Sequence, residues 1–177
     1  MKYTAYHEAI KNSMSALAHN NDVVFIGQQV ASENFYDTLE GIALGKRIEM
    51  PVAEELQAGL CTGLALEGYL PICIYQRMDF LLRAMDQLVN HLDKLAFMSN
   101  NLFNPKVIIR TTLGSKYPLD AGPQHTENYI EVFRRAFKSI PVVEITTAEE
   151  VTKAYTDALV RPQSTLIVEH QSLYYEF

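Results

Sequence analysis

The 177-residue sequence has no tryptophan and only two cysteines. Cys61 and Cys73 form no C-x-x-C pair and both sit in apolar stretches, so buried, reduced thiols are expected over a disulfide or a metal site. Positive charge is also short: 15 Lys and Arg against 21 Asp and Glu leave a net charge of -6, which argues against a nucleic-acid surface. No apolar run approaches the roughly 18 residues of a membrane span. The opening Met-Lys-Tyr-Thr-Ala-Tyr-His-Glu has no apolar h-region, so no signal peptide is expected and a reduced cytoplasm is the default location. No G-x-G-x-x-G follows the first apolar run, which counts against a dinucleotide-binding domain. There is no internal repeat, low-complexity run or linker, and the expectation is a single domain over 1–177.

What is present is a regular alternation of helical and strand patterns. Tyr3, Ala9, Ile10, Met14, Leu17 and Ala18 have helical spacing and predict a helix over 3–19. A short, continuous apolar strand over 22–27 closes on glycine, and strands of that continuous apolar kind are usually buried on both faces of a parallel sheet. Residues 28–49 read as irregular, with a short helical turn near 36–44. A helix over about 54–67 then leads to a strand over 71–75. The stripe Leu81, Met85, Leu88, Leu92, Leu95 and Ala96 predicts one long helix over about 80–98. A strand over 106–110, a loop over 113–124, a helix over about 127–138 and a strand over 142–145 follow. Thr147 with Glu150 three residues later marks a capping box for a helix over 148–160, and 165–169 is the last strand. This rhythm predicts a doubly wound α/β domain with a mostly parallel sheet.

The chain centres on the stretch over 50–71. Pro51 cannot sit inside a helix, so the helix should begin near Ala53 or Glu54 and carry a carboxylate in its first turn. Such an acid has a plain structural use, complementing the helix dipole for roughly a few tenths of a kcal/mol. Gly59 and Gly63 share one helix face and would permit a close neighbour.

Three segments together resemble the β subunit of 2-oxo acid dehydrogenase E1 components such as pyruvate dehydrogenase, within the transketolase-like thiamine-diphosphate enzymes. They are Pro51-Val52-Ala53-Glu54 with Gly59, Gly63, Ala65 and Gly68; Met78-Asp79-Phe80 with Met85-Asp86-Gln87-Leu88-Val89-Asn90, continuing to Lys94-Leu95 and Phe97-Met98-Ser99; and Gly122-Pro123-Gln124-His125. Their order and separations fit the pyrimidine-binding (Pyr) domain of that subunit, from about Thr4 to Tyr174. The resemblance implies that Glu54 hydrogen-bonds N1′ of the cofactor's aminopyrimidine, favouring the imino tautomer that generates the thiazolium ylid. It implies that Val52, through its backbone, Gln76 and Phe80 surround the pyrimidine, and that His125 is the active-site histidine near the thiazolium and substrate. An imidazole is the side chain whose ordinary titration lies near neutrality. Without the resemblance, Phe80 reads equally as core and Gln76 as a turn residue. Asp86, Gln87 and Asn90 read as helix packing and subunit contact.

The sequence also departs from that family. Gln28-Gln29 stand after the first strand where relatives carry acids, the loop over 31–50 is short, and the chain ends at Phe177 where the family's β subunit continues into a C-terminal domain. Relatives bind the diphosphate and metal through Gly-Asp-Gly and a later asparagine pair, and this sequence contains no Gly-Asp-Gly. Asn20-Asn21 and Asn100-Asn101 therefore read as turn residues. The implied cofactors are thiamine diphosphate and Mg2+, with the diphosphate and the metal on a separate PP-domain (E1 α-like) subunit in an α2β2 heterotetramer, and no metal site on this chain. The implied reaction is decarboxylation of a 2-oxo acid, with pyruvate foremost, and transfer of the acyl or aldehyde unit. Two rivals stay open: a split transketolase-like ketol transferase on sugar phosphates, and a non-catalytic Pyr-like binding or regulatory protein.

Overall fold

Six strands, the central ones branched and apolar, pair side by side into one parallel sheet with helices on both faces. The computed structural model describes residues 2–117 and 120–176. In chain order its elements are β1 (Lys2–Tyr3), α1 (Ala5–Ala18), β2 (Val23–Gly27), β3 (Arg47–Glu49), α2 (Glu54–Leu66), β4 (Leu70–Tyr75) and α3 (Met78–Leu81). There follow α4 (Leu95–Met98), β5 (Ile108–Leu113), α5 (Ile130–Ala136), β6 (Val142–Glu144), α6 (Ala148–Val160), β7 (Thr165–His170) and β8 (Tyr175–Glu176). The strand order is β3-β2-β4-β5-β7-β6, with every pairing parallel. A two-stranded antiparallel ribbon joins β1 to β8.

Successive strand residues point to opposite faces. Phe25, Ile72, Ile108 and Ile167 meet α1 and α6, while Ile26, Cys73, Ile109 and Leu166 meet α2, α3 and α5. This is the doubly wound α/β architecture the alternation predicts. Thr147 and Glu150 form the expected capping box, and the two cysteines are buried and free.

Several expectations need correction. The irregular 28–49 segment holds a short edge strand, β3, and its predicted helical turn is instead a left-handed one. Asn34, Phe35, Tyr36 and Asp37 have φ of 53, 42, 56 and 61°. That conformation costs roughly 1–2 kcal/mol per residue, so side chains elsewhere must hold it. The single helix expected over 80–98 is broken into α3, a 3₁₀ turn over Leu82–Ala84, a π-helical stretch over Asp86–Leu92 and α4. The wider turn keeps Leu88 and Leu92 buried and leads into Asp93, whose carboxylate accepts the backbone N–H groups of Lys138, Ser139 and Ile140 at 2.7–3.0 Å. Those bonds end α5 early. Helix α5 also starts late, because the Asn128 side chain caps the Ile130 N–H. A Cβ added at Gly63 would meet nothing within 4 Å, and one added at Gly59 would meet only the Gln87 side chain. The close neighbour expected at these glycines is therefore not supplied by the described residues. Pro118 and Leu119 of the expected 113–124 loop lie outside the described residues.

One polar cluster interrupts the apolar face under α1 and α6. Arg110, inside β5 rather than at its end, meets Glu169 of β7 through two bonds of 2.8 and 2.9 Å, with both side chains fully buried. Tyr155 and Tyr174 donate to the same carboxylate. Burial, reinforced by the Glu169 charge, pushes both phenols well up, so they remain donors. Arg110 also donates to Thr38 at 2.9 Å and lies 4.8 Å over the Phe35 ring, gripping the left-handed turn. His7 of α1 completes that grip by donating from Nε2 to the Tyr36 carbonyl at 2.7 Å.

Leaving Glu169 buried without its cation should destabilise Arg110→Leu by about 3–5 kcal/mol in urea unfolding. Lys2→Ala, which removes an exposed pair with Glu176, should cost under about 1 kcal/mol. A second expectation concerns pH. Burial holds the His7 imidazole below its ordinary value, the bond to Tyr36 opposing this only in part, and Nδ1 is buried without a partner. The unfolded chain therefore takes up the proton first. The associated stability is complete above the ordinary value of about 6.5 and falls as the pH drops below it. Urea midpoints across pH 5–8 should show this acid limb in the wild type and a shallower one in His7→Gln.

Candidate functional site

The carboxyl ends of β2, β4, β5 and β7 open on one edge of the sheet, the usual place for a site in a parallel α/β fold. Helix α2 starts beside them. Pro51 and a non-helical Ala53, with no side-chain cap, put the first helical residue at Glu54. Its side chain is 3 % exposed, and its backbone carbonyl accepts a hydrogen bond from Tyr75 Oη at 3.1 Å. Gln57, one turn on, is also buried and donates from Nε2 to the Ile74 carbonyl at 2.8 Å, bolting the helix to β4.

The Glu54 carboxylate is incompletely satisfied. Arg83 Nε lies 3.2 Å from Oε2, but its N–H does not point at the oxygen, and Oε2 is buried without a hydrogen bond. Arg83 is 74 % exposed, so the ion pair is screened by water and weak. A buried acceptor without a donor is costly and invites a ligand N–H.

Gln28, Val52, Glu54, Gln76, Arg77, Phe80, Arg83, Ala121 and His125 surround a cleft of about 540 Å³. All five residues singled out from the sequence, Val52, Glu54, Gln76, Phe80 and His125, therefore line one space. The rings of Phe80 and His125 stand edge to face, with centroids 5.3 Å apart at 87°. His125 Nδ1 is buried without a hydrogen-bond partner. Gln76 donates to Gln29 Oε1 at 2.6 Å, so one of the two glutamines that follow β2 is tied to a cleft residue. Gln29, with φ of 61°, is itself held by Glu49 of β3, whose carboxylate accepts the backbone N–H groups of Gln29, Ala31 and Ser32. Val52 is 78 % exposed at the mouth of the cleft. A second groove of about 570 Å³ continues from Glu54 along α2, past Leu56, Gly59, Leu60 and Gln87.

Sequence reasoning missed Arg77 and Arg83. The signals were available: Arg77 directly follows Gln76 at the end of a parallel strand, and Arg83 stands three residues after Phe80, on the same helical face. Among the described residues, no group of three or more His, Cys, Asp or Glu could hold a metal ion. No helix among them is long and apolar enough to cross a membrane. The arrangement offers a flat heteroaromatic ring an aromatic wall, an amide and a buried carboxylate oxygen, with an imidazole nitrogen left free nearby.

Residues 2–176 match the family described as "Transketolase, pyrimidine binding domain". The chain is 27 % identical to the mitochondrial pyruvate dehydrogenase E1 component subunit beta of Chaetomium thermophilum, covering 98 % of this chain and 46 % of that one. It is 28 % identical to the corresponding Saccharomyces cerevisiae subunit, covering 99 % and 49 %. The chain thus spans about half the length of these relatives. Among solved structures, transketolase from Campylobacter jejuni superposes with a TM-score of 0.71 at 19 % identity, over 94 % of this chain and 26 % of that one. A structure titled "Split gene transketolase, inactive beta4 tetramer" gives 0.69 at 16 %, over 93 % and 50 %. At these identities the structural likeness concerns the fold.

Gly114, just past β5, sets the position of His125. A Cβ there would stand 1.8 Å from the His125 carbonyl oxygen and 2.7 Å from Arg77 Nη1. Gly114→Ala should therefore displace the His125 loop and cost about 1–3 kcal/mol. The ring resonances of His125, followed by nitrogen–proton NMR, should shift while those of His7 stay in place.

Proposed function

The chain belongs to the transketolase pyrimidine-binding domain family, and we propose from that premise that it is the Pyr subunit of a split thiamine-diphosphate enzyme. In this reading it decarboxylates a 2-oxo acid, pyruvate foremost, and passes on the acyl or aldehyde unit. The observation that carries the reading is Glu54 Oε2, buried and without a hydrogen bond, in a cleft it shares with Gln76, Phe80 and His125. Those residues fit an aminopyrimidine ring. Similarity to pyruvate dehydrogenase β subunits along nearly the whole chain favours a 2-oxo acid over a sugar phosphate.

Thiamine diphosphate supplies, when bound, a carbon nucleophile that adds to the substrate carbonyl and stabilises the charge left by decarboxylation. The residues of this chain orient it and handle protons. Glu54 accepts the ring N–H and holds that proton in a site where water is scarce. Phe80 provides an apolar wall, and Gln76 exchanges its bond to Gln29 for one to the polar edge of the ring. His125, through its free Nδ1, moves a proton to or from the substrate. The diphosphate and Mg2+ are assigned to a separate PP-domain subunit, docked along the α2 groove in an α2β2 assembly in the cytoplasm.

Purification from the native host under gentle conditions, with mass spectrometry, should find a stoichiometric partner bearing Gly-Asp-Gly. The pair should turn over pyruvate in preference to a ketose phosphate. Glu54→Gln in that pair should slow turnover by about 10²–10⁴-fold. Unchanged activity in Glu54→Gln would remove Glu54 from cofactor activation. A chain that purifies alone and binds no thiamine diphosphate with Mg2+ would favour the non-catalytic role.

A further inference from the structure

Arg77 has no part in the cofactor chemistry above, yet it lines the same cleft. Arg77 is half-buried, and its guanidinium is anchored by one bond, from Nη1 to Gln171 Oε1 at 2.9 Å, just past the end of β7. Among the described residues it has no carboxylate partner. An arginine that keeps its charge and spends one of five N–H donors on a neutral amide has the rest of its fork available. The orientation is set from two sides. Gln171 holds Nη1, and the bare backbone of Gly114 lets the same nitrogen settle beside the His125 carbonyl. Arg77 and His125 are thereby packed against one glycine, on the side of the cleft where the free imidazole nitrogen stands.

We propose that Arg77 binds the carboxylate of the donor 2-oxo acid and so sets the position and selectivity of the substrate. This rests on the thiamine-diphosphate reading for the identity of the donor, though not for the existence of an anion site. The charge balance selects a small monoanion. The cleft sets two guanidiniums, Arg77 and Arg83, against one carboxylate, Glu54, and Arg83 is the one drawn to Glu54. One uncommitted guanidinium matches one carboxylate, which it can take through two parallel N–H donors. A diphosphate carries more charge than a single uncommitted cation balances. In an acidic chain of net charge -6, an uncommitted guanidinium in a cleft is also the local attraction that an anionic substrate needs.

The test uses oxamate, a non-reacting isostere of pyruvate, titrated calorimetrically into the full chain and into the chain with its co-purified partner. Thiamine diphosphate is titrated separately into the same samples. Arg77→Gln should weaken oxamate binding roughly ten- to a hundredfold, the loss expected for a hydrogen-bonded charge. Arg77→Lys should recover part of it, and Arg135→Gln, at an exposed position of α5, should change nothing. Thermal unfolding of each variant checks that the fold is retained. The proposal is overturned if neither wild-type sample binds oxamate, or if Arg77→Gln binds it as well as wild type. It is also overturned if Arg77→Gln loses thiamine diphosphate instead, which would make the anion the diphosphate of the cofactor. The two readings fail separately. Oxamate binding lost in Arg77→Gln, in a protein that never binds thiamine diphosphate, keeps the anion site and sinks the cofactor reading; the converse keeps the cofactor and sinks Arg77.

Discussion

The constraint on which most of this structure rests is the Arg110–Glu169 pair, two full charges taken out of water in the middle of a parallel sheet. Desolvating two ions costs several kcal/mol each, and the pair is tolerable only when geometry and further hydrogen bonds offset that cost. Here both conditions hold. The fork of Arg110 meets both carboxylate oxygens, and Tyr155 and Tyr174 donate one hydrogen bond to each of the same oxygens. The network fixes more than β5 against β7. It recruits α6 through Tyr155 and the C-terminal segment through Tyr174, and it holds the left-handed turn through Thr38 and Phe35. Four residues after Arg110 comes Gly114, over which His125 is seated, and two after Glu169 comes Gln171, which holds Arg77. The polar core thus sets the strand ends that carry the far wall of the cleft.

Much of this architecture was legible from periodicity. Parallel strands buried on both faces leave continuous apolar runs, and helices packed on one side leave stripes, so β2, β4, α1 and α6 stood out. The start of α2 was legible for a local reason: Pro51 excludes a helix before it. What could not be read depends on partners distant in sequence. Strand β3, three residues long, carries no pattern of its own and exists because it pairs with Phe25, Ile26 and Gly27. The β1–β8 ribbon joins segments more than 170 residues apart. Nothing in Asn34-Phe35-Tyr36-Asp37 announces four left-handed residues, since the compensating contacts come from Tyr3, His7 and Arg110. The π-helical stretch escaped for the opposite reason, because a strong apolar stripe masks a local change of pitch.

The cleft shows the same division. Glu54, Gln76, Phe80, His125 and Val52 come from four separate segments, and a family resemblance supplied their grouping where composition could not. The arginines were overlooked because a charged side chain at a strand end reads first as solvated surface. Only geometry separates the two. Arg83 is largely in water and lies near a carboxylate it does not satisfy, whereas Arg77 is partly enclosed and pinned by an amide. The surface running away from Glu54 is also unlike an ordinary exterior, since Val52 and Leu56 are exposed apolar residues and Gly63 faces open space on the same helix.

Covering the surface beside Glu54 would change the electrostatics of its carboxylate. With Arg83 in water, its attraction for the carboxylate is screened and worth under about 1 kcal/mol. Excluding water lowers the local dielectric, and both the pull of Arg83 and the penalty on an unpaired Oε2 rise together. One acceptor then has two possible partners, the guanidinium or a ligand N–H. A guanidinium on a long, exposed stem loses conformational freedom to reach it, whereas a ring held by Phe80 and Gln76 arrives already oriented. Any cover that excludes water would therefore favour the ligand over Arg83. On this argument the open groove along α2 and the unsatisfied oxygen of Glu54 are one feature: the carboxylate is left incomplete on the side from which both the ring and the covering surface would come.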